Sequence, residues 1–235
     1  MQKQYKIGFF SLIIILILAG IRFFMWRLYD QEMIILPLKS ETELLFFPQG
    51  KTAKEIQREF DCDFAVNGSY FGGEETGTFY PAGIWYEGME KTFTWENRPF
   101  DPNLTNTLRF YQKSNQADFL FEQEKADPQT GTILFNAGPQ ILQSGTINKN
   151  LGQMISHWSF AFPRTVIAKD SKNQLFLILF LKGQTLSHVA EILQSKDFSD
   201  AINLDGGPST AFKSKEWRKK GRAEEKVLPI FFCSK

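Results

Sequence analysis

The sequence predicts an α+β fold: a single domain with a mainly antiparallel β-sheet packed by helices, preceded by an N-terminal transmembrane helix. Three observations carry this expectation. Short apolar runs separated by polar turns dominate residues 28–235. Two segments within that range instead show a helical apolar stripe with capping residues at its start. Residues 1–27 hold a long apolar stretch of a kind that soluble domains seldom place at an extreme terminus.

That first stretch, "YKIGFFSLIIILILAGIRFFMW", is apolar from Ile7 to Ile21, with Lys3 and Lys6 ahead of it. Signal-peptide cleavage requires small residues at fixed offsets, and Ile17 and Leu18 stand upstream of Ala19 and Gly20. Residues 1–27 therefore read as an uncut signal anchor: Arg22 snorkels, Trp26 sits at the interface, and the span suits a hydrocarbon core of ~30 Å. The expectation is a membrane-anchored protein whose domain, residues 28–235, is extracytoplasmic.

Along that domain no repeat or Gly/Ser linker interrupts the chain, which supports one unit. "MIILPLKSETELLFF" reads as two strands around Lys39 to Thr42, with Pro37 marking an edge. "TLRFYQKSNQADFLFEQ" repeats this around Ser114 to Gln116, and Gly138 and Pro139 break "TILFNAGPQILQSG" into two further strands. "RTVIAKDSKNQLFLILFL" is a hairpin whose second strand is apolar enough to be covered on both faces. Thr52 and Glu55 have capping-box spacing, with Ala53, Ile56 and Phe60 as an apolar face. Leu186, Val189, Ala190 and Leu193 form the stripe of a second helix. Each helix is followed by an acidic connector, an apolar dipeptide, an Asn and a Gly-containing loop, so Asn67 and Asn203 leave strands at comparable places.

Composition excludes one large class of partner. With 27 basic against 26 acidic residues there is no field to gather nucleic acid. The only cysteines, Cys62 and Cys233, either join the two ends of the domain in an oxidising compartment or remain buried thiols. No zinc pattern accompanies them.

Candidate chemistry concentrates in two polar loops. If "AINLD" is strand, alternation sends Ile202 and Leu204 to one face and Asn203 and Asp205 to the other. Gly206 and Gly207 let the backbone approach an anion, and Ser209 and Thr210 add hydroxyls; the same residues also suit a plain turn. In "NGSYFGGEETG", Tyr70 and Phe71 are candidates to stack on a sugar, and Glu74 or Glu75 to supply a carboxylate, although a solvated loop tip is the commoner reading of such glutamates. Arg164 opens a strand where a guanidinium can grip phosphate, or simply form an ion pair. His157 and His188 read as structural.

Four blocks in this order, "AVNGSYF", "AGPQIL", "PRTVIA" and "GQTLSHVAEILQSKDFSDAINLDGGPST", resemble the signature blocks of the phosphodiester glycosidase family. The resemblance runs from about Phe64 to Thr210. It implies a hydrolase that cleaves a sugar-1-phosphodiester, of the alpha-N-acetylglucosaminyl type, at the anomeric carbon, acting on an extracytoplasmic glycan or glycoconjugate such as an exopolysaccharide of the cell envelope. The family pattern falls on Asn67, Gly68, Arg164, Asn203, Asp205, Gly206, Gly207 and Ser209. Ser69 and Pro208 stand where the family usually has glycine, and Pro208 removes one amide from the anion-binding loop.

The catalytic set expected from this pattern is Asp205, Asn203, Asn67 and Arg164, with Asp205 as nucleophile or base toward water. The substrate-binding set is Gly68, Tyr70, Phe71, Gly206, Gly207, Ser209 and Thr210. Two other readings fit the same loops. One is a module that binds anionic glycans without cleaving them. The other is a phosphodiesterase assisted by a divalent cation, Ca²⁺ or Mg²⁺, held by oxygens of Asp205, Asn67 and Asn203.

Overall fold

Local signals set the first pieces. The computed structural model describes residues 33–73, 75, 77–94, 106–120, 128–151, 159–216 and 225–235. Helix α1 (Ala53–Glu59) starts with the expected capping box: Glu55 N–H donates to the Thr52 hydroxyl, and the Glu55 carboxylate accepts from Thr52 N–H. Helix α2 (Leu186–Ser195) is capped by the Thr185 hydroxyl and buries Leu186, Val189, Ala190 and Leu193.

The strands divide among several sheets, and every pairing described between them is antiparallel. The six-stranded sheet has the order β1 (Met33–Pro37), β14 (Leu175–Gln184), β13 (Phe162–Asp170), β15 (Phe198–Asn203), β11 (Gln140–Gln143), β12 (Thr146–Ile147). Its β13–β14 hairpin turns where Asp170 Oδ1 accepts from the N–H groups of Lys172 and Gln174. β1 lies at the edge, where the missing N–H of Pro37 is tolerated.

The five-stranded sheet runs β7 (Glu90–Thr94), β6 (Ile84–Glu87), β10 (Thr132–Ala137), β8 (Asn106–Tyr111), β9 (Ala117–Leu120). The four-stranded sheet runs β16 (Phe212–Ser214), β3 (Phe64–Asn67), β17 (Leu228–Ser234), β2 (Glu43–Lys51). A small ribbon pairs β4 (Phe71–Gly72) with β5 (Tyr80–Pro81).

One apolar core takes side chains from all three larger sheets, including Trp85 and Phe135, Phe110 and Phe232, and Ile202 and Leu204. Phe110 and Phe232 meet edge to face at 5.4 Å, an arrangement aromatic rings favour. Ile230 and Phe232 of β17 face this core, while Phe231 and Cys233 face a second cluster under α1, as period-2 alternation requires. α1 packs on β3, β16 and β17, and α2 on β11, β12 and β15. Cys62 and Cys233 form a disulfide with Cα atoms 5.4 Å apart.

The expectation of one sheet packed by helices is corrected in its balance. The chain is β-rich, with three substantial sheets around one core and two helices among the described residues. The reason is that β1 and β2, and likewise β10 and β11, follow each other in sequence yet join different sheets. Residues 34–235 form one compact unit. The expected anchor, residues 1–27, lies outside the described residues, among which no helix is long and apolar enough to cross a membrane.

Candidate active site

Two strands end at one place and a third begins there. Asn67 closes β3 and Asn203 closes β15, as the matching Asn positions in the sequence suggested, and the start of β13 lies alongside through the Val166–Asn203 pairing. The Asn67 amide ties them together. Its Oδ1 accepts from Thr165 Oγ at 2.9 Å and from Ala211 N–H at 3.0 Å, and its Nδ2 donates to the Asp205 main-chain oxygen at 2.7 Å. Asn67 is buried, and these bonds engage its amide oxygen twice. The sequence placed it among the catalytic groups; in the structure it holds the frame, and it has little capacity left to ligate a cation.

Gly68 has an equally structural explanation. Its N–H donates to Ile230 O at 2.8 Å, and a Cβ at this position would lie 2.3 Å from Ile230 Cγ2. Close passage of β17, rather than approach of a ligand, demands glycine here. Ser69 continues the anchoring by donating to Asn136 O at 2.6 Å, while Asn136 Oδ1 accepts from Ile84 N–H. The loop is thereby fastened to the five-stranded sheet.

Tyr70 and Phe71 then point to opposite sides. The Tyr70 hydroxyl donates to Gly138 O at 2.8 Å and accepts from Asn203 Nδ2, so Tyr70 stands in the site. Phe71 packs edge to face on Phe79 at 5.4 Å and against the cluster under α1. It is no sugar platform at the Asp205 loop, because neighbouring residues of an extended segment face away from each other. Glu75 is exposed, and Glu74 and His157 lie outside the described residues. His188 sits on α2 beside Glu191 at 3.3 Å.

Asn203 Nδ2 also donates to Leu204 O at 2.8 Å, which orients the amide; its Oδ1 is buried without a hydrogen-bond partner, as is Thr210 Oγ. A buried polar atom left unpaired costs about 1–3 kcal/mol, and these two flank the Asp205 loop, where a ligand could satisfy them. Asp205 is half-buried, and its Oδ1 accepts from Gly206 N–H at 2.9 Å.

The glycines after Asp205 do different work. A Cβ on Gly206 would lie 2.9 Å from Pro163 O, so the loop rests directly on the start of β13. Gly207 has φ +59°, in the left-handed region, and opens a short 3-10 turn, Gly207–Ser209. Within that turn Ser209 N–H donates to Gly206 O and Thr210 N–H to Gly207 O. Of the amides expected to hold an anion, Gly206 and Ser209 are thus used internally. The Gly207 N–H and the Ser209 hydroxyl have no hydrogen-bond partner among the described residues.

Arg164 is 3% exposed. Its Nε donates to Gln184 O at 3.1 Å, one terminal nitrogen donates to Phe160 O at 2.7 Å, and the guanidinium lies 5.8 Å from the Phe162 ring centroid. Burial pushes the group below its ordinary pKa, with Tyr70 acting in the opposite direction; a guanidinium nevertheless stays charged. Thr165, Gln184, Phe160 and Phe162 were missed by sequence reasoning. For the two phenylalanines a signal existed: "FAFPR" puts aromatics at alternate positions just before the arginine.

The donor set for Ca²⁺ or Mg²⁺ fits poorly. These ions take six or more oxygens. Asn67 Oδ1 already accepts two hydrogen bonds, and among the described residues no group of three or more His, Cys, Asp or Glu side chains gathers to hold a metal.

The family model of the phosphodiester glycosidases matches residues 60–230. Among solved structures, the fold is similar to the zebrafish N-acetylglucosamine-1-phosphodiester alpha-N-acetylglucosaminidase catalytic domain auto-inhibited by its pro-peptide, with TM-score 0.59, 16% identity, and 83% of this chain and 72% of that chain covered. It is also similar to a hypothetical protein from Synechocystis, with TM-score 0.55, 14% identity, and coverage of 86% and 58%. At such identities the likeness is one of fold. A comparison with curated proteins gives no match.

Proposed function

Since the chain belongs to the phosphodiester glycosidase family by a match over residues 60–230, we propose that it hydrolyses a sugar-1-phosphodiester, of the alpha-N-acetylglucosaminyl type, at the anomeric carbon. The observation that carries this reading is the seating of Gly206 on Pro163 and Arg164, which puts the Asp205 loop on the strand that bears the guanidinium. This contact supports assigning the anomeric centre to the carboxylate of the loop and the phosphate to the cation of the strand beneath it. Asp205 acts as nucleophile or as base toward water, and Arg164, the Gly207 N–H and the Ser209 hydroxyl hold the departing phosphate. The bond from C1 to the bridging oxygen breaks, the phosphate leaves with the electron pair, and water supplies the new oxygen on C1. With residues 1–27 as a signal anchor, the domain works outside the cytoplasm on an envelope glycan or glycoconjugate.

Hydrolysis of an N-acetylglucosaminyl phosphodiester in heavy-oxygen water tests the reading. Label in the free sugar is expected. Label in phosphate would assign the protein to phosphodiesterases, and tight binding without turnover to glycan-binding modules. Asp205→Ala should abolish turnover while leaving the unfolding midpoint nearly unchanged, since the carboxylate is only half-buried.

A further inference from the structure

We propose that Phe160 and Phe162 form the platform on which the pyranose ring of the substrate stacks, an inference that rests on the sugar-phosphodiester reading above. Phe160 is 61% exposed and Phe162 36% exposed, and neither belongs to the buried core clusters. Burial of large apolar side chains is a main source of stability, so two phenylalanines held at the surface beside a polar site call for a partner.

Their position says what that partner is. The Phe160 carbonyl accepts from the Arg164 guanidinium, and the same guanidinium lies over the Phe162 ring, so both residues are fixed to the group that attracts phosphate. The Cβ and ring of Phe162 lie 4.0 Å from the Cβ position of Gly207, whose N–H is unspent. The two rings meet at 6.3 Å and 78°, making a corner rather than a flat wall. A ligand held here has an anionic group against the arginine and a compact ring with an apolar C–H face within reach of the corner. A hexopyranose linked to phosphate has this shape, and its C–H bonds meet the negative face of an aromatic ring favourably. Phe71, named from the sequence for this task, is packed elsewhere. The platform fixes the ring relative to Asp205 without touching the reacting atoms, so it contributes to binding in ground and transition states alike.

The test uses Phe160→Leu and Phe162→Leu, which keep apolar bulk but remove the ring, and Phe160→Trp, which restores an aromatic face, with unfolding midpoints recorded for each. Steady-state kinetics on a sugar-1-phosphodiester carrying only a methyl aglycone should show KM raised about tenfold by either leucine, kcat within about twofold of wild type, and recovery with tryptophan. Unchanged KM overturns the inference. So does a KM effect that appears only with a long lipid aglycone, which would make the corner an aglycone site. If wild type turns over no substrate, calorimetry with the sugar 1-phosphate separates the two ideas: affinity weakened by the leucine variants upholds the platform while hydrolysis falls, and affinity indifferent to them, or absent in wild type, overturns it.

Discussion

The side-chain nitrogen of Asn67 donates to the main-chain oxygen of Asp205 across 2.7 Å, joining residues 138 positions apart in the chain. The same amide accepts from Thr165 and Ala211, so one side chain fastens the loop after β15 to both β3 and β13. Asn67→Ala would leave these partners unsatisfied in a buried place. A loss of about 3 kcal/mol is expected, read as a lower urea midpoint, with activity falling because the Asp205 loop loosens. Asp205→Ala should separate the two effects, with activity lost and stability kept.

Gly68→Ala should destabilise the protein by about 2–3 kcal/mol, because the new methyl would stand 2.3 Å from Ile230 Cγ2. In an Ile230→Ala background the obstructing carbon is gone, and the further cost of Gly68→Ala should fall by at least half. A double-mutant cycle of denaturation free energies measures this coupling.

The capping box gives a pH dependence of known sign. Hydrogen bonds from the Thr52 backbone and hydroxyl hold the Glu55 carboxyl below its usual range, with nearby Lys51 and Arg58 assisting. A depressed carboxyl stabilises the fold above its unfolded pKa, near 4.3, and that contribution is lost as pH falls through the lower folded value. Glu55→Gln, which keeps the capping hydrogen bond but removes the charge, should therefore cost at most about 0.5 kcal/mol at neutral pH. The difference from wild type should close as the pH of the melt falls below that range, and it stays small throughout because the pair is exposed to solvent.

The disulfide joins Cys62 and Cys233, which are 171 positions apart in the chain. Cys62→Ser with Cys233→Ser should lower stability by about 3–5 kcal/mol. Both sulfurs lie in the cluster under α1, fully buried, so reductant should act on wild type only as the protein opens. Guanidinium unfolding with and without reductant, on both proteins, checks the two statements.

How much of this was readable in the chain follows the range of the forces involved. The α1 capping box, the α2 stripe and the β13–β14 and β8–β9 hairpins rest on neighbours a few residues apart, and all were legible. The division into sheets was not, since Gly138 and Pro139 look like hairpin punctuation whether the strands on either side pair together or part company. At the site, alternation correctly put Ile202 and Leu204 in the core. Asn67 looked like chemistry because an amide offers the same atoms to a substrate as to Thr165 and Ala211, and only the tertiary structure decides which takes them. Gly68 likewise looked like a ligand contact, because nothing near it in sequence announces Ile230.

β17 lies between β3 and β2, pairing Phe231 with Asn67 on one side and Leu45 on the other. As the chain emerges from the ribosome, β2 and β3 therefore appear early and wait, sharing no neighbour, until residues 228–234 arrive. Until then the nascent protein carries open strand edges that invite pairing with other chains. The loop bearing Asp205, seated on Gly68, which itself hangs from Ile230, can take its working shape only once β17 is in place.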